Sequence, residues 1–180
     1  LEPQVDWRTM LWRHAVQYLF DYTDWDRRFI YQGEYVEELT GERLTVAACL
    51  DTSGSVDRAM LRSLLSELQG IRMAHPMIDM VIYFADSELY GPYHLHRDSE
   101  LPIPVGGGGT TFEPFFDAVA SGGDGGGLDV LQAPPDVLIY ATDGWAEVPE
   151  TEPDNPTMWI VPFGQRTKFP WGEVVHMEVD

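Results

Sequence analysis

Five oxygen-bearing side chains in this sequence have the types and spacing to hold a divalent cation. Asp51, Ser53 and Ser55 alternate within one five-residue run, Thr110 follows four consecutive glycines, and Asp143 lies in a later Thr-Asp-Gly run. Two carboxylates and three hydroxyls form an all-oxygen ligand set, which suits Mg²⁺, Mn²⁺ or Ca²⁺ better than zinc. Because hydroxyls are neutral, the two carboxylates supply most of the charge that compensates the cation.

The spacing of these residues also has a backbone consequence. An Asp-x-Ser-x-Ser run lets one tight turn direct several oxygens to the same side, and we expect Gly54 to adopt backbone angles that are costly for other residues. The four glycines before Thr110 are expected to let its loop approach the ion closely.

Each motif also has an ordinary structural interpretation. Ser55 could cap the helix that follows it, and Thr110 or Thr111 could cap the next helix. The pair Asp143-Gly144 could form a simple turn. Taken singly, these interpretations are favoured, but three polar clusters at three predicted strand ends together favour a metal site.

Apolar runs predict the strands and helices that position these residues. Buried strands are predicted at 44–50, 77–85 and 136–141, with further strands at 157–162 and 173–179 and an antiparallel edge strand at 87–96. Helices are predicted at 6–20, 56–74 and 112–120. Strands that alternate with helices indicate a three-layer, doubly wound α/β fold with a mostly parallel sheet. Ligands of such sheets bind beyond the carboxyl ends of the strands, where the three clusters fall.

Composition limits the classes of function. The chain has 180 residues, and 30 acidic against 11 basic side chains give a formal net charge of -19. This charge disfavours nucleic acids and anionic membranes and favours cations or basic partners; a high-salt habitat would also explain it. The single cysteine, Cys49, excludes an intrachain disulfide and fits a cytoplasmic location. The first residue is Leu1, so we expect a fragment of a longer protein.

At this point the sequence resembles the von Willebrand factor A (VWA) domain and its metal-ion-dependent adhesion site, MIDAS. The resemblance rests on the runs 51–55, 109–110 and 142–144 and covers roughly 44–180, which leaves 1–43 as an N-terminal helix with an irregular extension. It is closest to the C-terminal VWA-like domain of bacterial metal-dependent peptidase-like proteins. This similarity rests on the helix with Asp6-Trp7-Arg8, on Arg27-Arg28, on the runs 51–55, 107–112 and 140–144, and on the strand 156–161.

The resemblance implies the roles of the five residues. Ser53, Ser55 and Thr110 would bind the metal directly, whereas Asp51 and Asp143 would bind it directly or through water. A carboxylate of a protein partner often completes the coordination in VWA domains, and a MoxR-type AAA+ ATPase is the candidate partner. One departure is the short segment 151–157, which leaves no room for the helix that most VWA domains have there. The N-terminal helix is a candidate substitute.

Other signals of catalysis are weak. No His-Glu-x-x-His or Gly-x-Ser-x-Gly motif occurs, and His94 with His96 could bind zinc only with a third ligand. The favoured function is a metal-ion-dependent protein-interaction module that holds Mg²⁺ and engages a partner carboxylate. The alternatives are an accessory domain of a metal-dependent peptidase or hydrolase whose catalytic part lies outside this chain, and a purely structural domain without metal.

Overall fold

A computed structural model describes residues 43–74, 76–96, 98, 100–121, 134–162, 164–165 and 168–177. The predicted helix at 6–20 and nearly all of the extension at 1–43 lie outside these residues. Neither of the helices described below is long and apolar enough to cross a membrane.

A six-stranded mixed sheet forms the centre of the described part. Its strands are β1 (Leu44–Asp51), β2 (Ile78–Ala85), β3 (Leu89–His94), β4 (Val137–Ala141), β5 (Thr157–Pro162) and β6 (Glu173–Met177). They lie in the order β3-β2-β1-β4-β5-β6. All neighbouring pairs are parallel except β2 and β3, which pair antiparallel at the edge. This arrangement confirms the predicted doubly wound sheet with an antiparallel edge strand.

Two helices cover opposite faces of this sheet. Helix α1 (Arg58–Ala74) connects β1 to β2, and helix α2 (Glu113–Ala120) precedes β4 in the chain. The predicted helices at 56–74 and 112–120 are therefore confirmed, with each start shifted by one or two residues. Side chains of α1 pack in one core cluster and those of α2 pack in the other, which gives the three-layer arrangement.

The two cores differ in composition because successive strand residues point to opposite faces. The face under α1 is mainly aliphatic, with Phe84 as its buried aromatic residue. The helix contributes Leu61, Leu64, Leu65 and Leu68 to it. The face under α2 is rich in aromatic side chains. Its buried members include Tyr83, Phe112, Phe115, Phe116, Tyr140, Trp159 and Trp171.

The connection from β4 to β5 contains no helix, as its length predicted. Aromatic residues from a later loop cover this part of the sheet instead. The ring of Trp159 stacks on that of Phe169 at 4.5 Å and meets Trp171 at 5.2 Å. The indole N–H of Trp159 donates to the carbonyl of Trp171 at 3.0 Å, and that of Trp171 donates to the carbonyl of Pro149 at 2.8 Å. Whether helix 6–20 also contributes lies outside the described residues.

Candidate metal centre

Asp51 is the last residue of β1 and its side chain is buried. One carboxylate oxygen, Oδ1, accepts a hydrogen bond from the backbone N–H of Ser53 at 2.9 Å. The other, Oδ2, accepts one from the hydroxyl of Thr142 at 2.6 Å. Since β4 pairs directly with β1, the turn after β4 is brought to the turn after β1 although 91 residues separate the two partners.

A second contact joins the same two turns. The hydroxyl of Ser55 donates to Oδ2 of Asp143 at 2.6 Å, and it lies 3.4 Å from the hydroxyl oxygen of Ser53. Two neighbouring ligands of an octahedral cation with bonds of about 2.1 Å lie roughly 3 Å apart. Both distances from the Ser55 hydroxyl are therefore close to the spacing of ligands around a small divalent cation.

The capping interpretations of these residues are wrong for the described helices. Asp57, not Ser55, caps α1, because its Oδ1 accepts the N–H of Ala59 at 2.9 Å. The N-cap of α2 is Phe112, and no side chain bonds the helix start there. Asp143 does form a local turn, since its Oδ1 accepts the N–H of Trp145 at 3.2 Å. Its other oxygen, however, is the one that contacts Ser55.

The glycine loop lies against the first turn but adds no side chain to the network. The backbone N–H of Gly54 donates to the carbonyl of Gly108 at 3.2 Å. Thr110 is half-buried and makes no hydrogen bond to the other four candidate ligands within the described residues. Four of the five predicted residues are thus brought into one network, and Thr110 is placed on the adjacent loop.

The role expected for Gly54 needs correction. Its φ is not in the left-handed region, in contrast to those of Gly106 and Gly107. A Cβ there would lie 3.4 Å from the carbonyl oxygen of Gly107, which is an ordinary van der Waals contact. The turn therefore requires glycine at this position neither for unusual backbone angles nor for the approach of the glycine loop.

Thr52 and Gly106 fix the start of the glycine loop. The hydroxyl of Thr52 donates to the carbonyl of Val105 at 2.6 Å and lies 3.2 Å from that of Ala85. A Cβ on Gly106 would lie 2.1 Å from this hydroxyl oxygen, and Gly106 has a φ of 136°. Only glycine fits here without displacing Thr52.

Asp86, at the end of β2, anchors the other side of the glycine loop. Its Oδ2 accepts the N–H of Gly108 at 3.0 Å, its Oδ1 accepts that of Glu88 at 2.8 Å, and its carbonyl accepts that of Thr111 at 2.9 Å. Burial by itself raises the pKa of Asp86. The hydrogen bonds from backbone N–H groups outweigh burial, so the pKa lies below its ordinary value. The contact with Glu88 is that of an ordinary turn aspartate, and the contact with Gly108 positions the glycine loop as well.

Burial and a second carboxylate both act on the charge of Asp51. Burial raises the pKa of Asp51, and hydrogen bonds from Thr142 and Ser53 oppose that rise, while the nearby Asp143 carboxylate adds to it. No three His, Cys, Asp or Glu side chains converge anywhere in the described residues. An ion here would therefore depend on the serine hydroxyls as well as the two carboxylates, which matches hard-cation chemistry.

Thr142 is the functional candidate that sequence reasoning did not include among the ligands. Its hydroxyl donates to Asp51 and accepts the backbone N–H of Gly144 at 3.0 Å. Its side chain is fully buried. The signal in the sequence was its place at the end of a buried strand, directly before Asp143.

His94 and His96 lie apart from this centre, on the edge strand β3 and just after it. Their rings are 4.1 Å apart, which confirms that they share one side. His94 Nε2 is hydrogen-bonded to Asp79 Oδ1, an acidic residue of β2. The two histidines and Asp79 do not form a group able to hold a metal in the described residues.

Comparison with known families identifies the fold. The family model described as VWA-like domain (DUF2201) matches residues 46–178. The chain belongs to this family. VWA-like domains generally mediate protein interactions, and the matched segment of this VWA-like domain contains all five candidate ligands together with Thr142 and Asp86.

This VWA-like domain is similar to the ArnB paralog VWA2 from Sulfolobus acidocaldarius, with 12% sequence identity and a TM-score of 0.47. The similarity covers 67% of this chain and 35% of that chain. No curated protein matches the sequence of this VWA-like domain.

Proposed function

We propose that this VWA-like domain binds a divalent cation, with Mg²⁺ as the first choice and Mn²⁺ or Ca²⁺ as alternatives, and uses it to engage a carboxylate of a protein partner. The observation that carries the proposal is the network at the ends of β1 and β4. There the hydroxyl oxygen of Ser55 lies 2.6 Å from Oδ2 of Asp143 and 3.4 Å from the hydroxyl oxygen of Ser53.

Each side chain has a distinct part in this proposal. Ser53 and Ser55 would offer neutral oxygens, and Thr110 would add a third from the adjacent glycine loop. Asp143 and Asp51 would supply the negative charge, either directly or through water. Thr142 and the N–H of Ser53 hold the two oxygens of Asp51 in place, as hydrogen-bonded neighbours of ligands do in metal sites.

A ligand set in which neutral hydroxyls outnumber carboxylates has a chemical consequence. Two carboxylates balance a divalent charge only when both are close, and hydroxyl ligands leave the cation a strong Lewis acid toward a further anionic oxygen. An Asp or Glu of a partner protein is such a ligand. The bound cation would supply this attraction, and the chain's own residues would hold it at the open surface.

The surroundings of Asp143 leave space for a partner. Trp145 is 74% exposed. A depression of about 660 Å³ adjoins it, lined by Gly144, Trp145, Ala146, Glu147, Gly164 and Gln165. Exposed tryptophan is frequent at the energetic centre of protein interfaces, so the proposed carboxylate contact would have an aromatic neighbour. A MoxR-type AAA+ ATPase is the partner to test first.

Titration calorimetry with Mg²⁺ and Mn²⁺ tests the metal step. We expect binding to the 180-residue chain that Asp51→Ala removes and that Ser53→Ala weakens. Pull-down of a MoxR-type ATPase with and without EDTA then tests the partner step. Absence of heat with both ions at millimolar concentration would exclude the metal site; partner binding that is equal with and without EDTA would exclude the bridging role of the metal.

A further inference from the structure

A second surface feature lies beside the metal centre and is not part of it. A groove of about 500 Å³ runs between the first half of α1 and the segment 101–104. Four residues of the helix and four of the segment line it: Arg58, Arg62, Leu65, Ser66, Leu101, Pro102, Ile103 and Pro104. We call it the arginine groove.

The helix side of this groove is basic in a protein that is otherwise strongly acidic. Arg58 and Arg62 are exposed and one turn apart, so they point to the same side of α1. The first turn of the helix contains no acidic residue. The positive end of a helix dipole disfavours cations, so Arg58 is placed where the helix itself gains nothing from its charge.

Among the described residues, neither arginine side chain has a partner that offsets this placement. No side-chain hydrogen bond or ion pair there involves Arg58 or Arg62. They are two of only 11 basic residues in a chain with net charge -19. Two such cations would be expected to find acidic neighbours on this surface, and their open position provides for an anion from another molecule.

The other side of the groove is apolar. Ile103 is 82% exposed, the largest exposure among the big hydrophobic side chains of the described residues, and Leu101 and Val105 are exposed as well. Pro102 and Pro104 alternate with these residues and favour an extended backbone. Neighbouring exposed apolar side chains beside polar residues are typical of protein interaction sites.

From the two sides together, we infer that the arginine groove binds an acidic peptide segment of a partner protein that also carries apolar side chains. The carboxylates of the segment would pair with Arg58 and Arg62, and its apolar side chains would pack on Ile103 and its neighbours. A nucleic acid offers charge but little apolar surface, and the net charge of -19 repels it. The groove therefore fits a peptide better than a polyanion.

The groove can act with or without the metal centre. Ser55 lies three residues before Arg58, and Val105, next to the apolar side, accepts the hydroxyl of Thr52 in the first turn. One partner could therefore contact both sites. Binding in the groove requires only the arginines and the apolar side, so it should persist in EDTA, where the proposed metal-dependent contact is lost.

Peptide selection in EDTA tests the inference without a known partner. The 180-residue chain is immobilised and challenged with a random-sequence peptide library, and the enriched peptides are sequenced. We expect enrichment of Asp or Glu together with Leu, Ile, Phe or Trp. Enrichment of basic peptides, or no enrichment, would overturn the inference.

Labelled copies of the enriched peptides then locate the binding surface by fluorescence anisotropy. The double variant Arg58→Gln/Arg62→Gln should bind about tenfold more weakly, since two exposed charge pairs are lost. The control Arg43→Gln removes one exposed arginine at the start of β1, away from the groove, and should leave affinity unchanged. Ile103→Ser should weaken binding several-fold because it shortens the apolar side.

Two further results would count against the groove. Equal affinity of wild type and the double arginine variant would place the peptides elsewhere. Competition by single-stranded DNA as effective as that by unlabelled peptide would indicate a general polyanion site. With the inferred site, binding falls as salt rises because the charge pairs are exposed, and single-stranded DNA competes only weakly.

Discussion

Two threonine–aspartate pairs join β1 to β4, one at each end of these strands, and they have different surroundings. At the amino ends, the hydroxyl of Thr45 donates to Asp136 Oδ2 at 2.7 Å. At the carboxyl ends, the hydroxyl of Thr142 donates to Asp51 Oδ2 at 2.6 Å. Both pairs span 91 residues of sequence. They are chemically alike, so what differs between the two ends is what surrounds each pair.

The two residues of the amino-end pair are hydrogen-bonded to each other through side chain and backbone. The backbone N–H of Thr45 also donates to Asp136 at 2.7 Å, and the N–H of Asp136 donates back to the carbonyl of Thr45 at 2.7 Å. The Thr45 hydroxyl further contacts the carbonyl of Pro134, and the side chain of Asn155 donates to that of Pro135 at 2.6 Å. These bonds hold the strand ends together.

The carboxyl-end pair stands beside a second carboxylate. Asp143 raises the pKa of Asp51 in addition to the effect of burial, and its own Oδ2 accepts the hydroxyl of Ser55. The comparison indicates that a hydroxyl–carboxylate pair can by itself serve only to join two strands. Where a second carboxylate and further hydroxyls lie beside such a pair, the group of oxygens becomes a candidate cation site.

The largest expected effect comes from deleting each aspartate in turn. Asp51→Ala should weaken Mg²⁺ binding by about 100-fold or more, since it removes charge that holds the ion. Asp136→Ala should leave Mg²⁺ affinity within about twofold but lower the free energy of unfolding by roughly 2–3 kcal/mol, because buried donors lose a charged acceptor. Calorimetry and urea unfolding in EDTA measure the two quantities. If Asp136→Ala weakened metal binding as much as Asp51→Ala, the distinction between the ends would fail.

A matched pair of glycine variants tests how the glycine loop is positioned at the carboxyl end. Gly106→Ala and Gly107→Ala both place a side chain at positive φ, but only the first introduces a clash with Thr52. We expect Gly106→Ala to lower the free energy of unfolding by roughly 2 kcal/mol more than Gly107→Ala, a typical cost of overpacking. Urea unfolding of both variants checks this difference, and equal losses would show that the contact with Thr52 is unimportant.

Two variants that each lack one hydroxyl distinguish metal binding from folding stability at the carboxyl ends of β1 and β4. Ser55→Ala should weaken Mg²⁺ binding by about tenfold and change the free energy of unfolding by less than about 0.5 kcal/mol, since Ser55 is exposed. Thr142→Val should cost about 1–2 kcal/mol in stability, because it removes the hydrogen bonds that this hydroxyl makes with the N–H of Gly144 and an oxygen of Asp51. Calorimetry and urea unfolding of the two variants provide the comparison. Equal stability losses would contradict it.

The smallest expected effect is the contribution of the Asp86 charge to the free energy of unfolding and its loss at low pH. Its folded pKa lies below the ordinary value of 3.8, so folding favours the ionised form. That contribution is complete above the unfolded pKa and is lost as the pH falls through the lower folded pKa. Asp86→Asn should therefore be less stable than wild type by about 1 kcal/mol at pH 7, as expected for a lost charged acceptor.

The pH dependence of the stability difference provides a control for the role of the Asp86 charge. The stability difference between wild type and Asp86→Asn should narrow below pH 3.8 as the wild-type carboxyl becomes protonated. Thermal unfolding in EDTA at neutral and acidic pH measures it. A difference that stays constant between the two conditions would mean that the charge of Asp86 does not hold the glycine loop.

The sequence alone determined the local elements and the order of the polar clusters. The apolar runs around Val46, Met80 and Ile139 predicted three central strands, and the spacing of Leu61, Leu64 and Leu68 predicted α1, because periodicity and burial are local properties. The alternation of Asp51, Ser53 and Ser55 likewise predicted a turn rich in side-chain oxygens. These predictions required no knowledge of what each segment contacts.

Only the tertiary structure decided which residues meet. The sheet order, with β4 beside β1, brings Asp143 to Ser55 and Thr142 to Asp51, whereas Thr110 remains on the neighbouring loop outside their network. Aromatic rings around Trp159, and not a helix between β4 and β5, cover that part of the sheet, and this too depends on tertiary packing. Such contacts join residues far apart in the chain, and their energies depend on a geometry that no short stretch of sequence contains.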